Sequence, residues 1–151
     1  MRLSTKGRYA IMAMAVIAAR GGSAPVSLGE IAADQRLPID YLEQLFLRLR
    51  RAGLVKAARG PGGGYMLSRP AASISIADIV NAVDEPIKMT RCTGEAEDAC
   101  LGTTRCITHH LWDALGEHIE AFLKSTSLQK TVDDAKRHAE AKAKPVVERA
   151  S

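Results

Sequence analysis

Apolar residues at Ile11, Met14, Ala15 and Ala18 follow the i, i+3, i+4, i+7 spacing of one helix face. Ser4 stands where it can cap that helix, and Gly21-Gly22 can end it. Ser27-Leu28-Gly29-Glu30 reads as a capping box opening a short helix through Ala33, with a turn over Gln35 to Pro38. Asp40 is then expected to cap a third helix whose buried stripe is Leu42, Leu45, Phe46 and Leu49.

Beyond Gly53, which stops that helix, the period changes from helical to extended. Leu54-Val55-Lys56-Ala57-Ala58 is strand-like, Arg59-Gly60-Pro61-Gly62-Gly63-Gly64 cannot stay helical, and Tyr65-Met66-Leu67 looks like a return strand. A helix, a tightly joined helix pair and a glycine-tipped hairpin predict a winged helix-turn-helix. Ser75 can cap a fourth helix carrying Ile76, Ile79, Val80 and Val83, closed by Glu85-Pro86. A longer helix then presents Leu111, Leu115, Ile119 and Phe122, with Trp112 beside them. Such a stripe outside the winged core needs a partner, most simply a second copy of the chain.

The expected organisation is mainly α: a winged helix-turn-helix DNA-binding domain over 1–85, a cysteine-bearing loop over 86–109, a dimerisation helix region over 110–132, and a charged tail, fraying or disordered, over 133–151.

Charge sharpens this picture. Residues 1–69 carry 11 Lys and Arg against 4 Asp and Glu, a balance of +7, whereas residues 70–151 carry 10 against 13, or −3. A basic amino-terminal half attracts a polyanion such as double-stranded DNA. No run of 18 apolar residues occurs, and the richest stretch, Ala10 to Ala19, has no export-type cleavage pattern, so a cytoplasmic protein without membrane contact is expected. Three cysteines, an odd number, argue against a disulfide framework.

The third helix is the candidate recognition helix, offering Tyr41, Glu43, Gln44, Arg48 and Arg51 outside its stripe. Gln can pair with adenine, Glu can accept from cytosine, and Arg can take guanine or phosphate. Glu43 can equally complete a capping box with Asp40, and the arginines can be solvated or reach only phosphates. At the hairpin tip Arg59 can enter a minor groove, while glycines such as Gly60 and Gly62 let the backbone approach phosphates. The glycine spacing fits neither a dinucleotide fingerprint nor a Walker loop.

The cysteines are confined to one segment, Cys92-x7-Cys100-x5-Cys106-x2-His109. Thiolate and imidazole are soft or borderline donors, and on spacing alone four such ligands suit zinc or a two-iron cluster equally. Lys88, Arg91 and Arg105 nearby would favour the thiolate forms. His110 is an alternative ligand to His109; His118 and His138 read as bystanders. No nucleophile elbow, zincin histidine pair or paired carboxylates are found, so no enzyme is expected.

Met1-Arg2-Leu3-Ser4-Thr5-Lys6-Gly7-Arg8-Tyr9-Ala10, Tyr41-Leu42-Glu43-Gln44-Leu45-Phe46 with Arg48-Leu49-Arg50, Arg59 through Tyr65, and Asp84-Glu85 before Arg91-Cys92 together resemble the iron–sulfur cluster assembly regulators, within a family of bacterial winged-helix repressors. The resemblance runs from residue 1 to about residue 132. It implies a homodimer holding one 2Fe-2S cluster per subunit through Cys92, Cys100, Cys106 and His109, with the cluster assembly machinery as donor. It also implies repression of cluster-assembly genes when the cluster is bound. By the same resemblance Glu43 helps tell operator classes apart, and Gln44 and Arg59 match DNA-contacting positions.

Two departures stand out. The first cysteine gap is long and contains Glu95, Glu97 and Asp98, and position 40 is Asp where relatives often have serine, so Asp40 is either only a cap or a shift in site preference. A nitric oxide sensor of the same family is the near rival, but it ligates its cluster through an aspartate where this chain has Arg8. A zinc-holding or thiol-redox regulator using the same loop is the other alternative.

Overall fold

The computed structural model describes residues 4–83 and 105–143. The first helix, α1 (Thr5–Ala19), begins where Ser4 Oγ accepts the Gly7 amide at 3.1 Å. Of the expected stripe, Met14 and Ala18 are buried and Ile11 and Ala15 half-buried, but Ala10, Ala13, Val16 and Ile17 are buried as well. A single stripe understates this helix because it is central, touching α2 (Leu28–Gln35), α3 (Ile39–Arg51), α4 (Ile76–Val83) and α6 (Leu128–Ala143). Its alanines allow those neighbours to come close.

Gly22 ends α1 at φ +75°, and a Cβ there would sit 2.9 Å from Leu67 Cδ1. The capping box of α2 forms as expected: the Glu30 amide donates to Ser27 Oγ and the Ser27 amide to the Glu30 carboxylate. Arg36 then turns left-handed at φ 53° to lead into α3.

Asp40 does not cap α3, which corrects the expectation. Pro38 is the N-cap, no side chain bonds the first turn, and Asp40 already lies within the helix. The left-handed Arg36 and the fixed φ of Pro38 set the backbone so that the helix starts directly after the proline. Its stripe of Leu42, Leu45, Phe46 and Leu49 is fully buried, and the Phe46 ring lies 4.7 Å from that of Tyr65.

The wing pairs β1 (Val55–Ala58) with β2 (Gly64–Leu67) antiparallel, Val55 opposite Leu67 and Ala58 opposite Gly64. Val26 adds one further bridge to Tyr65, so the wing is bonded to the segment between α1 and α2. A short 3₁₀ turn, Ala71–Ser73, leads to α4, whose cap is reciprocal: the Asp78 amide donates to Ser75 Oγ and the Ser75 amide to Asp78. The expected Glu85-Pro86 closure lies outside the described residues.

The longer helix expected to present Leu111, Leu115, Ile119 and Phe122 is α5 (His109–Ser125), and the region over 110–132 also takes in the start of α6. Thr126 is extended, its carbonyl accepts the Ile76 amide, and the Leu128 amide donates to Ile74 O. That small ladder to the start of α4 interrupts the helix. Leu128 and Val132 then bury themselves in the core, and residues 133–143, expected in a charged tail, continue α6. Among the described residues no helix is long and apolar enough to cross a membrane.

Candidate nucleic-acid interface and metal centre

The helix pair α2–α3 leaves one face of α3 uncovered. Asp40, Glu43, Gln44, Leu47 and Arg51 recur there at spacings of three and four, and all are exposed. Glu43 caps nothing, since no side-chain cap bond forms at the start of α3. Leu47, 48% exposed amid these polar side chains, was not singled out from sequence. Its place three after Gln44 and four after Glu43, off the stripe of Leu42, Leu45, Phe46 and Leu49, is the signal that marks it.

Tyr41 is half-buried, its ring edge-on to Tyr9 at 5.6 Å, which ties the beginnings of α1 and α3 together. Arg48 is exposed, and its Nη1 donates to the Val83 carbonyl at 2.8 Å. It joins the recognition helix to the last residue of α4, directly ahead of the cysteine segment.

At the wing tip Arg59 is exposed. Gly60 and Gly62 adopt φ +99° and +73°, values that favour glycine. A Cβ on Gly64 would lie 2.3 Å from Val26 O, so this glycine is required by the close approach of two backbones.

Of the four candidate metal ligands, Cys92 and Cys100 lie outside the described residues, as do Lys88, Arg91, Glu95, Glu97 and Asp98. Cys106 and His109 are brought together by one turn, in which the His109 amide donates to the Cys106 carbonyl at 3.0 Å. The Cys106 thiol is half-buried, 3.4 Å from Thr108 Oγ1. His109 is the first residue of α5 and only 2% exposed; its Nε2 lies 2.9 Å from Asp113 Oδ2. Nδ1 is buried with no hydrogen-bond partner among the described residues. A buried nitrogen without a partner is costly unless something satisfies it, and a metal at its lone pair would do so. Cys106 and His109 thus offer a thiolate and an imidazole of the chemistry a metal centre uses, while among the described residues no group of three or more such ligands comes together. His110, the alternative ligand, is exposed, as are His118 and His138.

The long helix face is also open. Leu111 and Phe122 are 60% and 64% exposed, Trp112 is exposed, and Leu115 and Ile119 are partly covered. Trp112 Nε1 donates to Thr108 Oγ1, at the turn that also carries Cys106.

Residues 3–134 match the family model described as Rrf2, iron-dependent transcriptional regulator. The HTH-type transcriptional regulator IscR of Xenorhabdus nematophila is 49% identical over 132 residues, covering 87% of this chain and 79% of the relative. Among solved structures, T. potens IscR superposes with a TM-score of 0.75 at 36% identity, covering 91% of this chain and 90% of that one. CymR, the global cysteine regulator of B. subtilis, superposes with a TM-score of 0.74 at 34% identity, covering 88% and 97%.

Proposed function

The chain belongs to the Rrf2 family of iron-dependent transcriptional regulators, and from that membership we propose that it is a homodimeric repressor governed by a 2Fe-2S cluster, one per subunit. Cys92, Cys100, Cys106 and His109 would hold the cluster, delivered by the cluster assembly machinery. The observation that carries this reading is His109: a buried imidazole, one turn after Cys106, whose Nδ1 has no partner among the described residues. The similarity to IscR proteins supports the choice of cluster over zinc. When bound, the cluster supplies a covalent tie between the cysteine segment and the start of α5.

The remaining steps belong to the chain itself. The open face of α3 enters the major groove, where Gln44 suits adenine, Glu43 suits the cytosine amino group and Arg51 suits phosphate or guanine. Asp40, which caps nothing, adds a carboxylate to that face and disfavours close phosphate approach, so operator preference shifts toward amino-bearing base edges. Arg59 and the Gly60–Gly62 backbone reach the adjacent minor groove and its phosphates. Arg48, bonded to Val83, passes changes at the cysteine segment to the recognition helix. Repression of cluster-assembly genes when clusters are plentiful is the output that such a sensor serves.

Purification without air, followed by iron and sulfide assay and a visible spectrum, tests the reading. A coloured protein with about two irons and two sulfides per chain, binding operator DNA differently once the cluster is removed, is expected. A colourless protein that takes up zinc but not a reconstituted cluster would overturn it.

A further inference from the structure

We propose that Asp113 is the residue that positions His109 for ligation, holding its proton on Nε2 so that Nδ1 faces the metal with a free lone pair. This rests on the reading that the cysteine segment and His109 hold an iron–sulfur cluster, and it names a residue that the four-ligand pattern omits.

A neutral imidazole has one N–H and one lone pair, and the partner of one nitrogen decides the role of the other. Asp113 Oδ2 sits 2.9 Å from Nε2, and a carboxylate only accepts, so the proton belongs at Nε2. Nδ1 then carries the lone pair. It is buried and meets no donor among the described residues, and a coordination bond would satisfy it.

The arrangement is built into one helix. His109 opens α5, and Asp113 follows four residues later on the same face. The imidazole is covered to all but 3%, while the aspartate side chain is 48% exposed. Asp113 therefore acts as an outer brace on a half-exposed side chain, and its replacement leaves the core untouched. Carboxylate braces of this kind fix ring orientation and strengthen the ligand's donor nitrogen. The sequence pattern concealed it because Asp113 has no ligand-like spacing to the cysteines.

Asp113→Ala and Asp113→Asn are to be compared with the wild type and with His109→Ala. In the metal-free protein, ¹⁵N shifts of the His109 ring should report the Nε2–H tautomer in the wild type and a mixture in Asp113→Ala. In the cluster-loaded protein, loss of visible absorbance to an iron chelator should be about 10–100-fold faster for Asp113→Ala. Asp113→Asn, whose amide oxygen still accepts, should lie within a few-fold of the wild type by the same reasoning. A coloured wild type with Asp113→Ala unchanged in spectrum and release rate would overturn the Asp113 assignment alone, as would an Nδ1–H tautomer in the metal-free wild type. A wild type that holds no cluster would overturn the underlying reading as well.

Discussion

Glu30 accepts the Ser27 amide at 2.9 Å and the Ser27 hydroxyl at 3.0 Å, and Arg20 reaches its other oxygen at 3.2 Å. The backbone bond first, then the hydroxyl and the arginine, hold its carboxyl below the ordinary value of 4.5. In the unfolded chain these partners are gone and the proton binds more readily. The contribution to stability is therefore complete above the unfolded-state value and is lost as pH falls through the lower folded one. Urea midpoints measured between about pH 6 and about pH 3 should decline for the wild type and decline less for Glu30→Gln, which carries no charge at any pH. Equal declines would remove Glu30 from the acid response. This residue was legible from sequence because both halves of its box lie three positions apart. Asp40 offered a similar local cue and failed, because the backbone set by Arg36 and Pro38 placed it inside the helix.

Elements follow the same division between local and distant causes. The α3 stripe and the wing were legible since their periods and glycines are local signals. The break at Thr126 was not, because its cause is hydrogen bonding to Ile74 and Ile76, some 50 residues earlier in the chain. The crowding around α1 was hidden for the same reason. At the site, Cys106 and His109 could be named from donor chemistry, but neither the burial of His109 nor Asp113 behind it has a periodic signature. Arg48 carries a contact that sequence does not reveal: a candidate DNA-facing cation of α3, it also donates to the end of α4. Arg48→Ala should lower stability by about 1 kcal/mol in urea unfolding, the worth of one such bond. It should also leave the salt dependence of operator affinity unchanged, since its charge serves the fold. A salt slope reduced by about one would return Arg48 to the phosphate contacts.

For the whole molecule the decisive feature is that α5 serves two ends. Its first residue is the candidate ligand His109, and further along it carries the open apolar face of Leu111 and Phe122. Burying such side chains against a second copy is worth roughly 1.5–3 kcal/mol each, whereas water-facing phenylalanine and leucine stabilise nothing. A two-fold pair would place two recognition helices on half-sites one helical turn, about 34–36 Å, apart. Ligation at the start of α5 would then bear directly on the element that sets that spacing. Leu111→Glu with Phe122→Glu puts charge on both sides of the seam and leaves the α1-centred core as it is. Light scattering should show a dimer for the wild type and a monomer for this variant, with an unchanged helical spectrum. Affinity for a two-half-site operator should fall by about 10²–10⁴-fold, the loss expected when two linked contacts become one, while affinity for a single half-site is preserved. A variant that remained dimeric would show that copies meet through another face, and ligation at His109 would then need a different route to the DNA.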